Sequence, residues 1–229
     1  MHSKVGTCLQ CGLMGHPELL YLVWPTIEFD VMEIAEEFRV PDSILSRYDE
    51  WRYFGMDADP TGMANLLRQY REQDNVGWIV GCLGESTFVL PGLDREESLE
   101  KPLVYFPAWM SVADPAVERP HHFYGLKIGL SDLVRSLGLT ELAVLWLDIE
   151  GSEFSVLEQY DWHLRPEYLA VEVHCYPEPV TQSELSRRVA RMESIVGSQG
   201  YRRVRSERSN FHDGQYHTHD LQFIREDVV

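Results

Sequence analysis

The sequence predicts an α/β protein with a mostly parallel β-sheet that helices cover on both faces. Short apolar runs alternate along the 229-residue chain with stretches of helical periodicity, a pattern typical of strand–helix–strand units. The middle runs, such as LAVLWLDI at 142–149, have almost no polar interruption, which is typical of parallel strands buried on both faces. The length fits one domain over residues 1–229.

Each predicted element follows from its own local pattern. Apolar or alternating runs predict strands at 4–11, 52–58, 76–83, 142–149, 168–174, 201–207 and 220–226. Helical spacing predicts helices at 17–24, 29–38, 60–73, 130–138, 153–160 and 183–200. Pro60 suits the first turn of the helix predicted at 60–73. In the helix predicted at 130–138, Ser131 is the expected N-cap and Gly138 the expected C-terminal stop. The last two strands have no helix between them, so we expect antiparallel neighbours at one edge.

A long irregular segment, about 86–123, interrupts this alternation. It contains five prolines and many large side chains, among them Tyr105, Phe106, Trp109, Met110, His121, His122 and Phe123. Long irregular segments inside a compact domain are usually functional or disordered, and this one is too aromatic for disorder. We interpret it as a cap that faces the substrate. Packing of a loop on the sheet is the alternative.

Composition and charge exclude several classes of protein. The formal net charge is −17, whereas nucleic-acid binding depends on Lys and Arg, so no nucleic-acid partner is expected. The one basic segment, 187–208, is interrupted by acids and suits a helix surface followed by a strand surface. No apolar run approaches the length that spans a bilayer, and the first residues lack a signal-peptide pattern. A cytoplasmic protein without membrane contact is therefore expected.

Four cysteines are present, and Cys8 and Cys11 form a CxxC pair. Such a pair raises the question of zinc or redox chemistry. A structural zinc ion needs about four ligands, and Cys82 and Cys175 do not form a second close pair. We expect reduced, partly buried thiols, with a metal site or a disulfide as the alternative.

Three acids crowd into LWLDIEGSEF, residues 145–154, directly behind an apolar strand: Asp148, Glu150 and Glu153. In open α/β sheets, ligands bind at the carboxyl ends of the strands, which is where these acids are expected. His174 ends the next strand and should lie within one or two strand spacings of them.

This cluster has two functional interpretations and one structural one. Asp148, Glu150 and His174 can accept a proton, or they can hold a divalent cation such as Mg2+. Alternatively, Glu150 and Glu153 only complement the dipole of the following helix; we favour this interpretation for Glu153 and a functional one for Asp148. Glu172, inside an apolar strand, must be paired or functional if it is buried.

Residues 128–158 resemble the most diagnostic stretch of FkbM-type methyltransferases, which use S-adenosylmethionine. The family's Asp-x-Glu-Gly-x-Glu block is matched by residues 148–153, and Val156 and Leu157 follow it as in the family. Weaker similarities to the family occur elsewhere in the chain, in the same order as in the family, at YFGMDADP, NVGWIVGCLGE, YLAVEVH, GYRRV and HDLQFI. Together they cover roughly three quarters of the chain, with the boundary error usual for such comparisons.

The resemblance implies a Rossmann-like class I methyltransferase fold, with a mostly parallel sheet and an antiparallel closing strand. It implies that Asp57 accepts the ribose hydroxyls of the cofactor and that the backbone at Gly12 and Gly15 approaches the cofactor closely. Cys82 and Leu83 would line its adenine side, although ordinary strand-end packing explains them equally well. The first glycine turn departs from the family pattern, because Gln10 occupies the place of the family's Asp and one residue fewer separates Gly12 from Gly15. The span from Gly15 to Asp57 is also longer than in the family, and Trp146 occupies the place of its Lys.

The resemblance implies methyl transfer, to oxygen before nitrogen, with Asp148, His174 and Glu150 acting on the acceptor. A small molecule, a natural product or a peptide is the expected acceptor, and a homodimer is compatible with the sequence. The altered glycine turn favours the alternative, a degenerate methyltransferase fold that binds a ligand or a partner without catalysis.

Overall fold

The computed structural model describes residues 4–13, 17–23, 40–57, 60–70, 74–84, 103–107, 122–149, 151–175, 179–212 and 214–228. The helix predicted at 29–38 lies outside these residues, as do Gly15, Glu150, Trp109, Met110 and His121. Within the described ranges, no helix is long and apolar enough to cross a membrane.

The described strands form one sheet. They are β1 Val5–Cys11, β2 Glu50–Asp57, β3 Val76–Leu83, β4 Leu103–Pro107, β5 His122–Ile128, β6 Val144–Leu147, β7 Tyr168–His174, β8 Tyr201–His212 and β9 Gln215–Arg225. Their order is β4-β5-β3-β2-β1-β6-β7-β9-β8. Neighbours from β5 to β7 are parallel, whereas β9 is antiparallel to both β7 and β8. The seven strands from β3 to β8 have the order of the class I methyltransferase fold, which confirms the predicted fold class.

The described α-helices are α1 Asp42–Leu45, α2 Pro60–Gln69, α3 Leu130–Ser136, α4 Glu153–Gln159 and α5 Gln182–Gly197. The helix predicted at 17–24 is a short 3-10 helix, Glu18–Leu22. Gly138, with φ +64°, ends α3 as predicted. The predicted N-cap Ser131 is wrong, because α3 begins one residue earlier with Gly129 as its N-cap. The Ser131 hydroxyl instead accepts a hydrogen bond from the backbone N–H of Asp161 at 3.1 Å.

Part of the predicted irregular segment is sheet. β4 pairs antiparallel with β5, and β5 extends the parallel sheet beyond β3. The runs LVYFP and HFYGLKI are rich in aromatic and branched residues, and such side chains favour strands. The remainder of 86–123 lies outside the described residues, so the cap remains a prediction.

Both faces of the sheet are buried at its middle strands, as predicted. Side chains of neighbouring residues in a strand point to opposite faces, so Leu145 and Trp146 belong to two different core clusters. Helices α3, α4 and α5 cover the face that contains Leu145.

The same alternation separates the CxxC pair. Cys8 and Cys11 lie in opposite core clusters, so their thiols do not form a joint metal site or a disulfide. All four cysteines are free and buried, which confirms reduced thiols but corrects the expectation of partial burial. Burial raises the pKa of the Cys8 and Cys11 thiols, which keeps them neutral and unreactive.

Candidate active site

Four acids lie along one edge of the sheet, at strands β2, β6, β7 and β9. Asp57 ends β2, and Asp148 directly follows β6. Glu172 lies near the end of β7 and pairs across the sheet with Asp220 of β9. Strands β1 and β6 are neighbours, but the chain continues from them to opposite sides of the sheet, to β2 and to β7. This edge therefore contains the topological switch point where ligands bind in open α/β sheets.

The turn after β1 packs directly against the backbone of Asp148. Gly12 has φ +86°, and its N–H donates to the carbonyl of Met56 at 2.9 Å. The N–H of Asp148 donates to the carbonyl of Cys11, also at 2.9 Å. A Cβ added at Gly12 would lie only 1.4 Å from the carbonyl oxygen of Asp148. Both the positive φ and this close approach require glycine.

Asp57 holds the same turn from the other side. Its Oδ2 accepts a hydrogen bond from the backbone N–H of Leu13 at 2.7 Å, and the residue is 9% exposed. The carboxylate expected to bind ribose is therefore oriented by the glycine turn. Cys82 and Leu83, at the end of neighbouring strand β3, are buried.

Gln10, which replaces the family's Asp, has a structural role in β1. The residue is fully buried, and its Oε1 accepts hydrogen bonds from the Tyr53 hydroxyl at 3.0 Å and from the Leu19 N–H at 3.2 Å. A neutral amide satisfies these donors without placing a charge in the core. Gln10 therefore links β1 to β2 and to the 3-10 helix Glu18–Leu22 through hydrogen bonds.

Glu153, the last acid of residues 145–154, links the turn after β6 to His174 by hydrogen bonds. The residue is fully buried at the first position of α4. Its Oε1 accepts hydrogen bonds from the N–H groups of Gly151 at 2.9 Å and Ile149 at 3.3 Å, and lies 2.9 Å from Nδ1 of His174. Gly151, with φ +97°, forms the turn that makes this possible. The negative charge of Glu153 therefore lies at the N-terminus of α4, where the helix dipole favours it, and the same carboxylate orients the His174 ring.

His174 connects Glu153 to the open side of the cluster. A carboxylate at Nδ1 favours the tautomer with its proton on Nδ1, which leaves Nε2 as an acceptor. Nε2 lies 3.7 Å from Oδ1 of Asp148. His174 is 5% exposed, whereas the side chain of Asp148 is 23% exposed and can meet a ligand.

Glu172 belongs to the same cluster, although the sequence argument left its role open. One possible ligand atom each from Asp148, Glu172 and His174 lie within 4.8 Å of one another. The alternation in YLAVEVH could have indicated this, because residues two apart in a strand share a face. Glu150, the other predicted member, lies outside the described residues.

Comparison with protein families supports the assignment made from the sequence. The methyltransferase FkbM domain matches residues 127–203, about a third of the chain. The matched segment contains β6, β7 and the Asp-x-Glu-Gly-x-Glu block, and it confirms the resemblance. Comparison with curated proteins gave no match.

Several solved structures are similar to the chain. Fibrillarin from Methanococcus jannaschii is 12% identical with a TM-score of 0.48, over 98% of this chain and 68% of that one. Aeropyrum pernix fibrillarin, solved with S-adenosyl-L-methionine, is 13% identical with a TM-score of 0.45, over 97% and 66%. Synechocystis magnesium protoporphyrin IX methyltransferase, solved with SAH, is 9% identical with a TM-score of 0.37, over 97% and 74%. Because these scores are low, the fold assignment rests on the strand order of the chain itself.

The strand order gives the chain the fold of class I methyltransferases, and the family match supports that class. Within that class, residues 127–203 match the FkbM domain.

Proposed function

We propose that the chain transfers the methyl group of S-adenosylmethionine to an oxygen of a small molecule, a natural product or a peptide. The observation that carries this proposal is the position of the Asp148–His174–Glu153 cluster. It lies beside the Gly12 turn at the switch point of a class I methyltransferase sheet.

Asp57 and the Gly12 turn suit the cofactor. A carboxylate at the end of β2 can accept the ribose hydroxyls, and the N–H of Leu13 already holds it in place. Gly15, Cys82 and Leu83 complete the proposed binding residues. The bound cofactor would supply an electrophilic methyl group, and the protein would hold that group in line with the acceptor oxygen.

Oxygen is proposed before nitrogen because of the charge at the cluster. An alcohol is a poor nucleophile until it loses its proton, so a group that promotes this loss is valuable beside it. Asp148 is the most exposed member of the Asp148–His174–Glu153 cluster, and Nε2 of His174 lies next to it. Glu150 is proposed as a further catalytic residue.

Exchanging Asp57 for Asn tests the cofactor site. Asn keeps an oxygen for the Leu13 N–H but loses the charge and one acceptor oxygen. We expect binding of S-adenosylmethionine, measured by titration calorimetry, to weaken by about 1–3 kcal/mol. Asp74→Asn, at an exposed position before β3, should bind like the wild type. A wild-type protein that gives no heat with S-adenosylmethionine or with its demethylated product would favour the degenerate, non-catalytic alternative.

The acceptor side is tested at Trp109. We propose that residues 1–229 act as one domain and that the segment 86–123 faces the acceptor. Trp109→Ala is then expected to raise the Michaelis constant for the acceptor several-fold and to leave cofactor affinity unchanged. The matched control is Trp162→Ala, because Trp162 packs against Tyr160 and Tyr201 and should affect only thermal stability. If Trp109→Ala also lowers only thermal stability, the segment is packing rather than a cap.

A further inference from the structure

Three side chains with metal-binding atoms converge at the carboxyl edge of the sheet. Asp148, Glu172 and His174 each offer one such atom within 4.8 Å of the other two. Ligand atoms at about 2.0–2.2 Å from a common ion are roughly 3–4.4 Å apart, so small side-chain rotations would bring these three onto one ion. We propose that the chain binds one divalent transition-metal cation, such as Mn2+, through Asp148, Glu172 and His174.

The second partner of His174 supports this role. Metal-binding histidines usually donate their other ring N–H to a carboxylate, which orients the ring and makes the free nitrogen a better ligand. Glu153 provides that carboxylate at 2.9 Å from Nδ1, and Nε2 is left on the side of Asp148. Glu153 is not one of the three ligands, so this contact is a separate observation.

The burial of Glu153 is a further indication of a positive charge nearby. The residue is fully buried, and its Oε2 has no hydrogen-bond partner among the described residues. Burying a carboxylate is costly unless positive charge or hydrogen bonds compensate it. A cation bound to Nε2 of His174 would supply positive charge on the other side of the imidazole ring.

The charges around the three ligands also favour a bound cation, because acidic side chains outnumber basic ones there. Glu172 lies directly opposite Asp220, which is 4% exposed, and like charges at opposite positions destabilise an antiparallel pair. Arg188 donates to the backbone carbonyl of His174 at 3.3 Å and contributes one positive charge. The negative charge of the nearby acids exceeds this positive charge; the acids are Asp148, Glu153, Glu172 and Asp220. A divalent cation would offset the excess negative charge.

The ligand types indicate which ion is favoured. Mg2+ prefers oxygen ligands alone, whereas one imidazole with two carboxylates suits Mn2+, Fe2+ or Zn2+. The proposal thus differs from the cation considered from the sequence, because Glu172 replaces Glu150 as a ligand and a transition metal replaces Mg2+. Three protein ligands leave positions open, and a cation there would lower the pKa of an acceptor hydroxyl. This catalytic consequence, unlike binding itself, rests on the proposed function.

The test is a titration of the full chain, freed of metal with a chelator, with Mn2+ at neutral pH. Electron paramagnetic resonance measures free Mn2+, and we expect one ion to be bound per chain. Glu172→Gln is expected to weaken binding at least tenfold, while the affinity for S-adenosylmethionine changes little and the thermal midpoint of the metal-free chain does not fall. Glu193→Gln, which changes a half-buried acid of α5 that pairs with Arg203, should bind Mn2+ like the wild type.

The outcomes separate this inference from the proposed function. A wild-type chain that binds no Mn2+ at millimolar concentration, or a Glu172→Gln variant that binds it normally, overturns the metal site. If methyl transfer continues in the presence of a chelator, the proposed function stands without the ion. If Mn2+ binds but S-adenosylmethionine does not, the metal site stands and the proposed function fails.

Discussion

Replacing Asp148 by Asn is expected to lower the turnover number by roughly two or more powers of ten, the range typical of positioned acid–base groups. The residue directly follows β6, whose side chains are fully packed in the core, so its position is set by the sheet. Asn preserves the shape of the side chain but not its charge. Both ways of activating a hydroxyl, proton abstraction and coordination to a cation, need that charge.

The measurement is methyl transfer at saturating cofactor, together with calorimetry of S-adenosylmethionine binding. Cofactor affinity and the unfolding midpoint should be close to those of the wild type. Asp132→Asn, an exposed acid on α3, controls for loss of a surface charge and should turn over normally. If metal ions stimulate the wild type, Asp148→Asn should abolish that response. Near-normal turnover would assign Asp148 a structural role and leave His174 as the remaining candidate base.

Replacing Gly12 by Ala is expected to destabilise the protein by about 2–5 kcal/mol. The left-handed backbone conformation at φ +86° costs an alanine about 1–2 kcal/mol. In addition, the new Cβ would lie 1.4 Å from the carbonyl oxygen of Asp148, and relieving such overpacking typically costs about 1–3 kcal/mol. Because the turn must move away from Asp148 and Asp57, cofactor binding should also be lost.

Urea denaturation measures this effect, and Gly138→Ala is the matched control. Gly138 also has a positive φ, +64°, but a Cβ there would meet nothing within 4 Å. It should therefore show only the conformational cost, and the difference between the two variants isolates the contact with Asp148. Equal destabilisation by the two exchanges would contradict the close packing of the Gly12 turn.

The position of the candidate site could be predicted from the sequence better than the hydrogen bonds that hold its side chains in place. Asp148 and His174 were predicted to lie together because each follows or ends an apolar strand, and the neighbouring pair β6 and β7 brings them together. The partner of Glu153 was not predicted, because a helix-start acid satisfies local rules without any distant contact. The buried role of Gln10 was also missed, since its partners Tyr53 and Leu19 belong to other elements.

By itself, the sequence determined the α/β class, the parallel centre of the sheet and the edge where acids gather. Hydrophobic periodicity reports which faces of each element are buried, and this information is local. Only the tertiary structure decided that Gly12 touches Asp148, that Glu172 joins His174 and Asp148, and that Cys8 and Cys11 are kept apart. Those contacts depend on strand order and register, and a shift of one residue would send each strand side chain to the opposite face.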